Sequence, residues 1–249
     1  LSTFIDLFGG GFNVGINIQA ERIIYNDINP FVEGLIKSFS ADAYEYLQYV
    51  SRLIQKYELK PNGREGYMAL REKYNSTPIP RRDPRMLYTL VLYGFQQQIR
   101  FNTDHGFNNP VGSRWFNECL LSKFITFARC SKTKNVDYSN ASFERLADQI
   151  GRDSFIYADP PYRSTLGVYN DGKRGFEGWT LEHEQRLCRF LDEAAQIGAR
   201  FMLSYVLQVE GFFNADVANW AERNCYRVID VAVPQGRYNN RREVIIVNY

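Results

Sequence analysis

The tetrapeptide Asp159-Pro160-Pro161-Tyr162 combines residues that pack poorly and are well suited to chemistry. It follows Phe155-Ile156-Tyr157-Ala158, an apolar run rich in β-formers that reads as a buried strand. A carboxylate at the C-terminal end of a parallel strand lies where open α/β sheets bind ligands. The prolines fix φ and donate no N–H, so the carbonyls of Asp159 and Pro160 can point outward as rigid acceptors. With the carboxylate and the flat face of Tyr162, this makes a holder for a planar amino group, such as the exocyclic amine of a nucleobase. Such an amine is a weak nucleophile because its lone pair is delocalised into the ring. Hydrogen bonds from its N–H groups to a carboxylate and a carbonyl push it toward tetrahedral geometry and return the lone pair to nitrogen. A sulfonium methyl held in line could then be attacked directly, without a metal or a covalent enzyme intermediate. In duplex DNA the target base would have to be flipped from the stack. The competing reading is a proline-rich turn, and a relaxed form of the tetrapeptide arises by chance about one time in a hundred.

A second constellation stands near the start of the chain. Asp6-Leu7-Phe8 ends a strand-like run and is followed by Gly9-Gly10-Gly11, with a helical stretch expected from about Asn13. Strand, glycine turn and helix N-terminus make a nucleotide-sized cradle, and Asp27 at the end of the next strand can face a ribose. The dinucleotide fingerprint fails, because its third glycine falls on Val14. Asp6 would repel a pyrophosphate and suits a ligand with a positive charge, such as S-adenosylmethionine with its ammonium and sulfonium groups. A tight turn with no ligand is the alternative.

The elements that must carry these residues alternate. Strand-like runs occur at 3–8, 22–26, 155–158, 200–206, 226–233 and 243–249, with a weaker candidate at 135–138. The clearest helix starts at the N-cap Thr180, carries Leu187, Phe190, Leu191 and Ala194 on one face, pairs Glu182 with Arg186, and stops at Gly198. This pattern predicts an α/β fold with a mostly parallel sheet and helices on both faces. Residues 30–129 break the rhythm with helical periods, for instance at 67–74 and 84–97, and a long polar loop at 101–116. We read them as a helical insertion into a domain built from 1–29 and 130–249. Two basic clusters mark the insertion: Arg81, Arg82 and Arg85, then Arg100 and Arg114.

Composition removes several classes. Among 249 residues, two histidines and four unpaired-looking cysteines supply neither a zinc site nor a His-activated nucleophile, and a reducing setting is expected. A formal charge of +2 neither announces nor excludes a polyanion partner. No apolar run approaches the length needed to cross a bilayer. The opening LSTFIDLF lacks the basic region of a signal peptide and reads as a chain entered in mid-domain.

Together these residues resemble Dam-like DNA adenine-N6 methyltransferases of the D12 class, in the family's α order of motifs. Residues 4–11 resemble its cofactor motif, Asp27 with Ile28 its ribose-binding acid, and Asp159-Pro160-Pro161-Tyr162 its catalytic tetrapeptide. YMALREKYN (67–75), GFQQQIRFN (94–102) and Phe107-Asn108-Asn109-Pro110 resemble its target-recognition region. The resemblance implies a Rossmann-like, seven-stranded methyltransferase sheet with a mainly helical target-recognition insertion. It implies S-adenosylmethionine as methyl donor, no metal, S-adenosylhomocysteine as product, and double-stranded DNA as partner. By resemblance, Ser142 and Phe143 line the cofactor's adenine pocket, and Arg100 reads a base edge. Gln98, Asn102, Pro110 and Arg114 belong with the DNA contacts, and Tyr169 with the flipped base. Two departures stand out. The family's Tyr-x-Gly-x-Lys-like motif would lie upstream of Leu1, so an N-terminal segment is expected to be missing. Gln98 stands where GATC-methylating relatives carry an apolar residue, which leaves the recognition sequence open. The expected activity is site-specific methylation of adenine N6 in DNA, in the cytoplasm of a bacterial or phage-infected cell, with a cognate restriction enzyme as a further candidate partner. Methylation of RNA or a protein amide, and a non-catalytic DNA-binding role, are the alternatives.

Overall fold

Runs of β-branched and aromatic residues build the sheet. The computed structural model describes residues 1–163, 178–209, 211–231 and 241–249. Within them β1 (Thr3–Asp6), β2 (Arg22–Asn26), β3 (Val136–Ser139), β4 (Ser154–Ala158), β5 (Arg200–Val209), β6 (Phe212–Phe213), β7 (Arg227–Val231) and β8 (Arg242–Val247) form one sheet. The helices are α1 (Pro30–Ser38), α2 (Ala43–Lys56), α3 (Arg64–Ser76), α4 (Pro84–Tyr93), α5 (Glu118–Thr133), α6 (Leu181–Ile197) and α7 (Ala215–Arg223). Strand order is β3-β2-β1-β4-β5-β8-β7; the first five strands run parallel, and β8 is antiparallel to both neighbours. The expected mostly parallel α/β sheet is therefore present. To its seven-strand path the structure adds the two-residue β6, paired to β5.

The chain forms two compact units. The first contains the sheet, α6 and α7. Alternate residues of its strands, Ile5, Leu7, Ile156, Ala158, Phe201 and Leu203, point into one core with Leu187, Phe190, Leu191 and Ala194 of α6. Burying each of these larger side chains contributes about 1.5–3 kcal/mol. Thr180 and His183 close a capping box at the start of α6, and Gly198 ends it in the left-handed region at φ 98°. The expected Glu182–Arg186 pair is not what the structure shows, since Arg186 pairs with Glu144 instead. The helix that sequence places after the glycines is also absent. Only a 3-10 turn, Gly15–Asn17, forms before Ile18 becomes extended. Glycine and β-branched residues at 14–18 are weak helix formers, and Phe12 leaves helical space at φ 58° to pack edge-on against Tyr25.

The second unit contains α1 to α5, of which α1, α2, α4 and α5 are capped by the side chains of Asn29, Asp42, Asp83 and Asn117. Its core is aromatic: Tyr46, Tyr67, Tyr74, Tyr93, Phe101, Phe107 and Phe124 are all buried. The helix expected at 84–97 stops at Tyr93, where Gly94 turns extended, and Gln96 and Gln97 take positive φ. Two basic residues of the expected cluster are structural. Arg82 donates to the carbonyls of Thr77, Asn75 and His105 and lies over Phe31 and Tyr74. Arg85 pairs with Asp83 at 2.7 Å and covers Tyr49. No helix among the described residues is long and apolar enough to cross a membrane.

Candidate active site

Three acids stand at the C-terminal ends of three neighbouring strands: Asp27 after β2, Asp6 closing β1, and Asp159 after β4. The parallel register puts Asp6 opposite Tyr25 and Tyr157, so that all three acids share one edge of the sheet. Hydrogen bonds shape the glycine turn around them. Gly9 N–H donates to Asn26 O at 2.7 Å, Gly10 N–H to Asp27 Oδ2 at 3.0 Å, and Gly15 N–H to Asp6 Oδ2 at 3.0 Å. Gly9 is required, because a Cβ there would meet the Tyr25 ring at 2.3 Å.

Asp6 is 2% exposed. Burial pushes its pKa up to about 7; the Gly15 N–H opposes this, and the charges of Asp159 and Asp27 add to it. A dry carboxylate beside two others is costly unless a cation joins it. The edge therefore fits a ligand that brings positive charge.

Asp159 reaches solvent, yet burial of its surroundings raises its pKa, while hydrogen bonds from Tyr162 and Ser204 oppose the shift and Glu243 adds to it. The Tyr162 hydroxyl donates to Asp159 Oδ1. Its half-buried ring meets the Tyr205 ring at 5.4 Å and 80°. Tyr162 thus both orients the carboxylate and keeps part of its surface available. An ionised carboxylate has about four acceptor sites, so two hydrogen bonds leave room for an incoming amine. Pro160 is buried and Pro161 half-buried, which seats the two carbonyls that sequence marked as acceptors on a fixed backbone.

The other expected cofactor residues have mixed surroundings. Leu7 is wholly buried in the core, whereas Phe8 stands half-buried against Phe143 at 5.6 Å and edge-on to Trp179 at 5.6 Å. Phe143 is itself buried and also touches Phe190, so most of its ring is core. The Ser142 hydroxyl donates to the Glu144 carboxylate. Gly11 is exposed and Ile28 half-buried. Sequence reading missed Gly15, where a Cβ would come within 2.8 Å of Asp6 Oδ2, and Ser204, the hydroxyl that bonds Asp159. Ser204 had a signal: it is the one small hydroxyl residue in the largely apolar strand RFMLSYVLQV.

In the second unit, the loop after α4 gathers most of the expected DNA contacts. Phe95 N–H donates to Pro110 O at 2.8 Å, Asn108 N–H to Arg100 O at 2.9 Å, and Arg114 Nη1 to Gln97 Oε1 at 2.9 Å. Gln98 bonds Gln96 at 3.1 Å, and buried Asn109 donates to the carbonyls of Phe95 and Gln98. Asn102 Oδ1 accepts from Asp104 and Gly106 N–H, so this residue shapes the turn. Arg100 is exposed, and its guanidinium makes no hydrogen bond or ion pair among the described residues. Tyr169 lies outside the described residues. Gly112 holds the two sides of the loop together, since a Cβ there would come within 2.5 Å of Gly94 O. Gly112→Ala is expected to cost about 1–3 kcal/mol by overpacking, read as a lower midpoint in denaturant unfolding. An unchanged midpoint would show that the loop yields freely.

A family model described as D12 class N6 adenine-specific DNA methyltransferase matches residues 1–241. The chain is 36% identical over 257 residues to the type II methyltransferase M.FokI of Planomicrobium okeanokoites, with 100% of this chain and 39% of the relative covered. It is 35% identical over 254 residues to modification methylase LlaI of Lactococcus lactis subsp. lactis, with 100% and 40% covered. A DNA adenine methylase of Salmonella typhi is 28% identical over 169 residues, with 67% and 58% covered. The chain spans about two fifths of the length of the first two relatives.

Proposed function

Because the chain belongs to the D12 class N6 adenine-specific DNA methyltransferase family, we propose that it transfers a methyl group from S-adenosylmethionine to adenine N6 in double-stranded DNA. The observation that carries this reading is the row of Asp27, Asp6 and Asp159 at the ends of β2, β1 and β4. Asp6 and Asp27, with the turn 9–11, would hold the cofactor, and the buried charge of Asp6 suits its cationic methionine end. When bound, S-adenosylmethionine supplies an electrophilic methyl on a positively charged sulfur and ends as S-adenosylhomocysteine.

The chain's own residues act on the amine. Asp159 and the Pro160 carbonyl accept its two N–H groups, restoring the nitrogen lone pair that forms the new N–C bond. The Tyr162 hydroxyl fixes Asp159, and the Tyr162 ring offers a surface for a base flipped from the stack. The raised pKa of Asp159 makes it a competent acceptor for the proton that the methylated nitrogen sheds. The names of the relatives support extending the reading to a restriction-modification setting with a cognate restriction enzyme, acting on DNA in a bacterial cytoplasm.

The test is labelled-methyl transfer from S-adenosylmethionine to DNA, RNA and protein, followed by single-molecule sequencing for N6-methyladenine. Label in DNA at a defined adenine is expected. Label only in RNA or protein, or in nothing, overturns the reading. In the same assay Arg100→Ala is expected to reduce discrimination between target and altered sites by about tenfold or more, as for loss of one bidentate base contact. Equal loss on every sequence would make Arg100 a phosphate contact.

A further inference from the structure

The prolines that stiffen the tetrapeptide also remove its backbone donors at 160 and 161, so side chains must hold this segment. Its C-terminal end is tied to a buried polar network. Glu184, in the first turn of α6, is 2% exposed. Its carboxylate accepts the Tyr205 hydroxyl and, at 2.7 Å, Asn214 Nδ2. Its other oxygen lies 3.3 Å from Arg163 Nε. Arg163 directly follows Tyr162, also pairs with Asp216 at 2.9 Å, and lies over the Phe212 ring. Tyr205, fully buried, is the ring against which Tyr162 packs. One carboxylate therefore grips the tetrapeptide twice, through Arg163 in the chain and through Tyr205 in space.

Stability does not explain such a network. A buried ion pair is often no more stabilising than apolar residues of the same volume. What it adds is a fixed arrangement, since one Glu184 oxygen holds both the Tyr205 hydroxyl and Asn214 while the other faces the Arg163 guanidinium as an ion pair. We propose that Glu184 is a positioning residue for methyl transfer: by fixing Tyr205 and Arg163 it sets the orientation of Tyr162, and through Tyr162 that of the Asp159 carboxylate. This rests on the functional reading above. Glu184 touches neither substrate nor cofactor in this scheme. Its influence should appear in the chemical step and not in binding.

The test uses the full chain with saturating S-adenosylmethionine and target DNA under single-turnover conditions. Glu184→Gln keeps the shape and an acceptor oxygen but removes the charge facing Arg163. It is expected to slow methyl transfer by about tenfold or more, as for a loosened supporting shell. DNA affinity and S-adenosylmethionine affinity should stay within about threefold of the parent. In a Tyr162→Phe background, where the hydroxyl link to Asp159 is gone, the Glu184→Gln effect should shrink to about twofold or less, the coupling expected of residues acting in series. If Glu184→Gln does not fold, Tyr205→Phe decides, because it keeps the ring and removes only the hydroxyl. A slower transfer with an unchanged melting midpoint supports the proposal, and an unchanged rate overturns it. A full effect of Glu184→Gln in the Tyr162→Phe background also overturns it. An active parent with an equally active variant sinks this inference alone. A parent that transfers no methyl group to any substrate sinks the functional reading and this inference with it.

Discussion

Asp159→Ala is expected to lower the rate of methyl transfer by at least about a thousandfold, the scale for losing a preorganised group at the reacting centre. Without the carboxylate, the amine keeps only the Pro160 carbonyl, its lone pair stays in the ring, and the proton it sheds loses its acceptor. The fold should not suffer. Burial already disfavours the ionised form of Asp159 in the native state, as its raised pKa records, so removing the group relieves a cost. The Tyr162 hydroxyl loses its partner at Asp159 but keeps Ser204 nearby. DNA binding, measured by anisotropy, should remain within a few-fold of the parent. Asp159→Asn, which keeps one neutral acceptor, should fall between the parent and alanine. Activity of Asp159→Ala within tenfold of the parent would sink the mechanism.

The second large effect concerns Asp6. Its folded pKa of about 7 exceeds the unfolded value of 3.8. Between these values the folded chain holds a proton that the unfolded chain has released. Stability therefore falls as pH rises across that window, and the penalty is complete above pH about 7. Asp6→Asn retains an acceptor for Gly15 N–H and removes the titration. At pH 8 the ligand-free variant should melt several degrees higher than the parent, consistent with a relief of about 1–4 kcal/mol, and the difference should vanish near pH 4.

Cofactor binding should move the opposite way. A cation needs the ionised carboxylate, so parental affinity for S-adenosylmethionine should weaken by up to tenfold per unit as pH falls below about 7. The Asn variant should bind at least about tenfold more weakly at pH 8 and show little pH dependence. Calorimetric titrations at pH 6 and pH 8 check this. A parent whose affinity is flat with pH would remove Asp6 from the cationic end of the ligand.

Both results depend on carboxylates that sequence names separately and only the sheet brings together. Asp6, Asp27 and Asp159 are each visible in the chain as an acid at the end of a strand-like run. Their mutual repulsion appears only once β2, β1 and β4 lie side by side. Strand and helix identities were legible because β-branching, apolar periodicity, capping residues and stop glycines act within a few residues of one another. α6 shows this best, with its cap at Thr180 and its stop at Gly198 both as expected.

What sequence misread was the choice of partners. Arg186 takes Glu144 over the nearby Glu182, and Arg82 and Arg85, for which sequence named no partner, bond inside the helical unit. A guanidinium bonds whichever acceptor the packed backbone presents, and one-dimensional spacing does not contain that information. Ser204, Gly15 and Glu184 escaped notice for the same reason, since a serine, a glycine and a helical glutamate are unremarkable until the fold sets them against Asp159, Asp6 and Arg163. Sequence by itself determined the alternation of strands and helices, the glycine turn and the acid-proline-proline-tyrosine segment at a strand end, because local sterics and residue chemistry specify them. The tertiary structure alone decided which charges meet, how dry they are and what holds that segment in place, because desolvation and hydrogen-bond geometry arise only when distant segments pack.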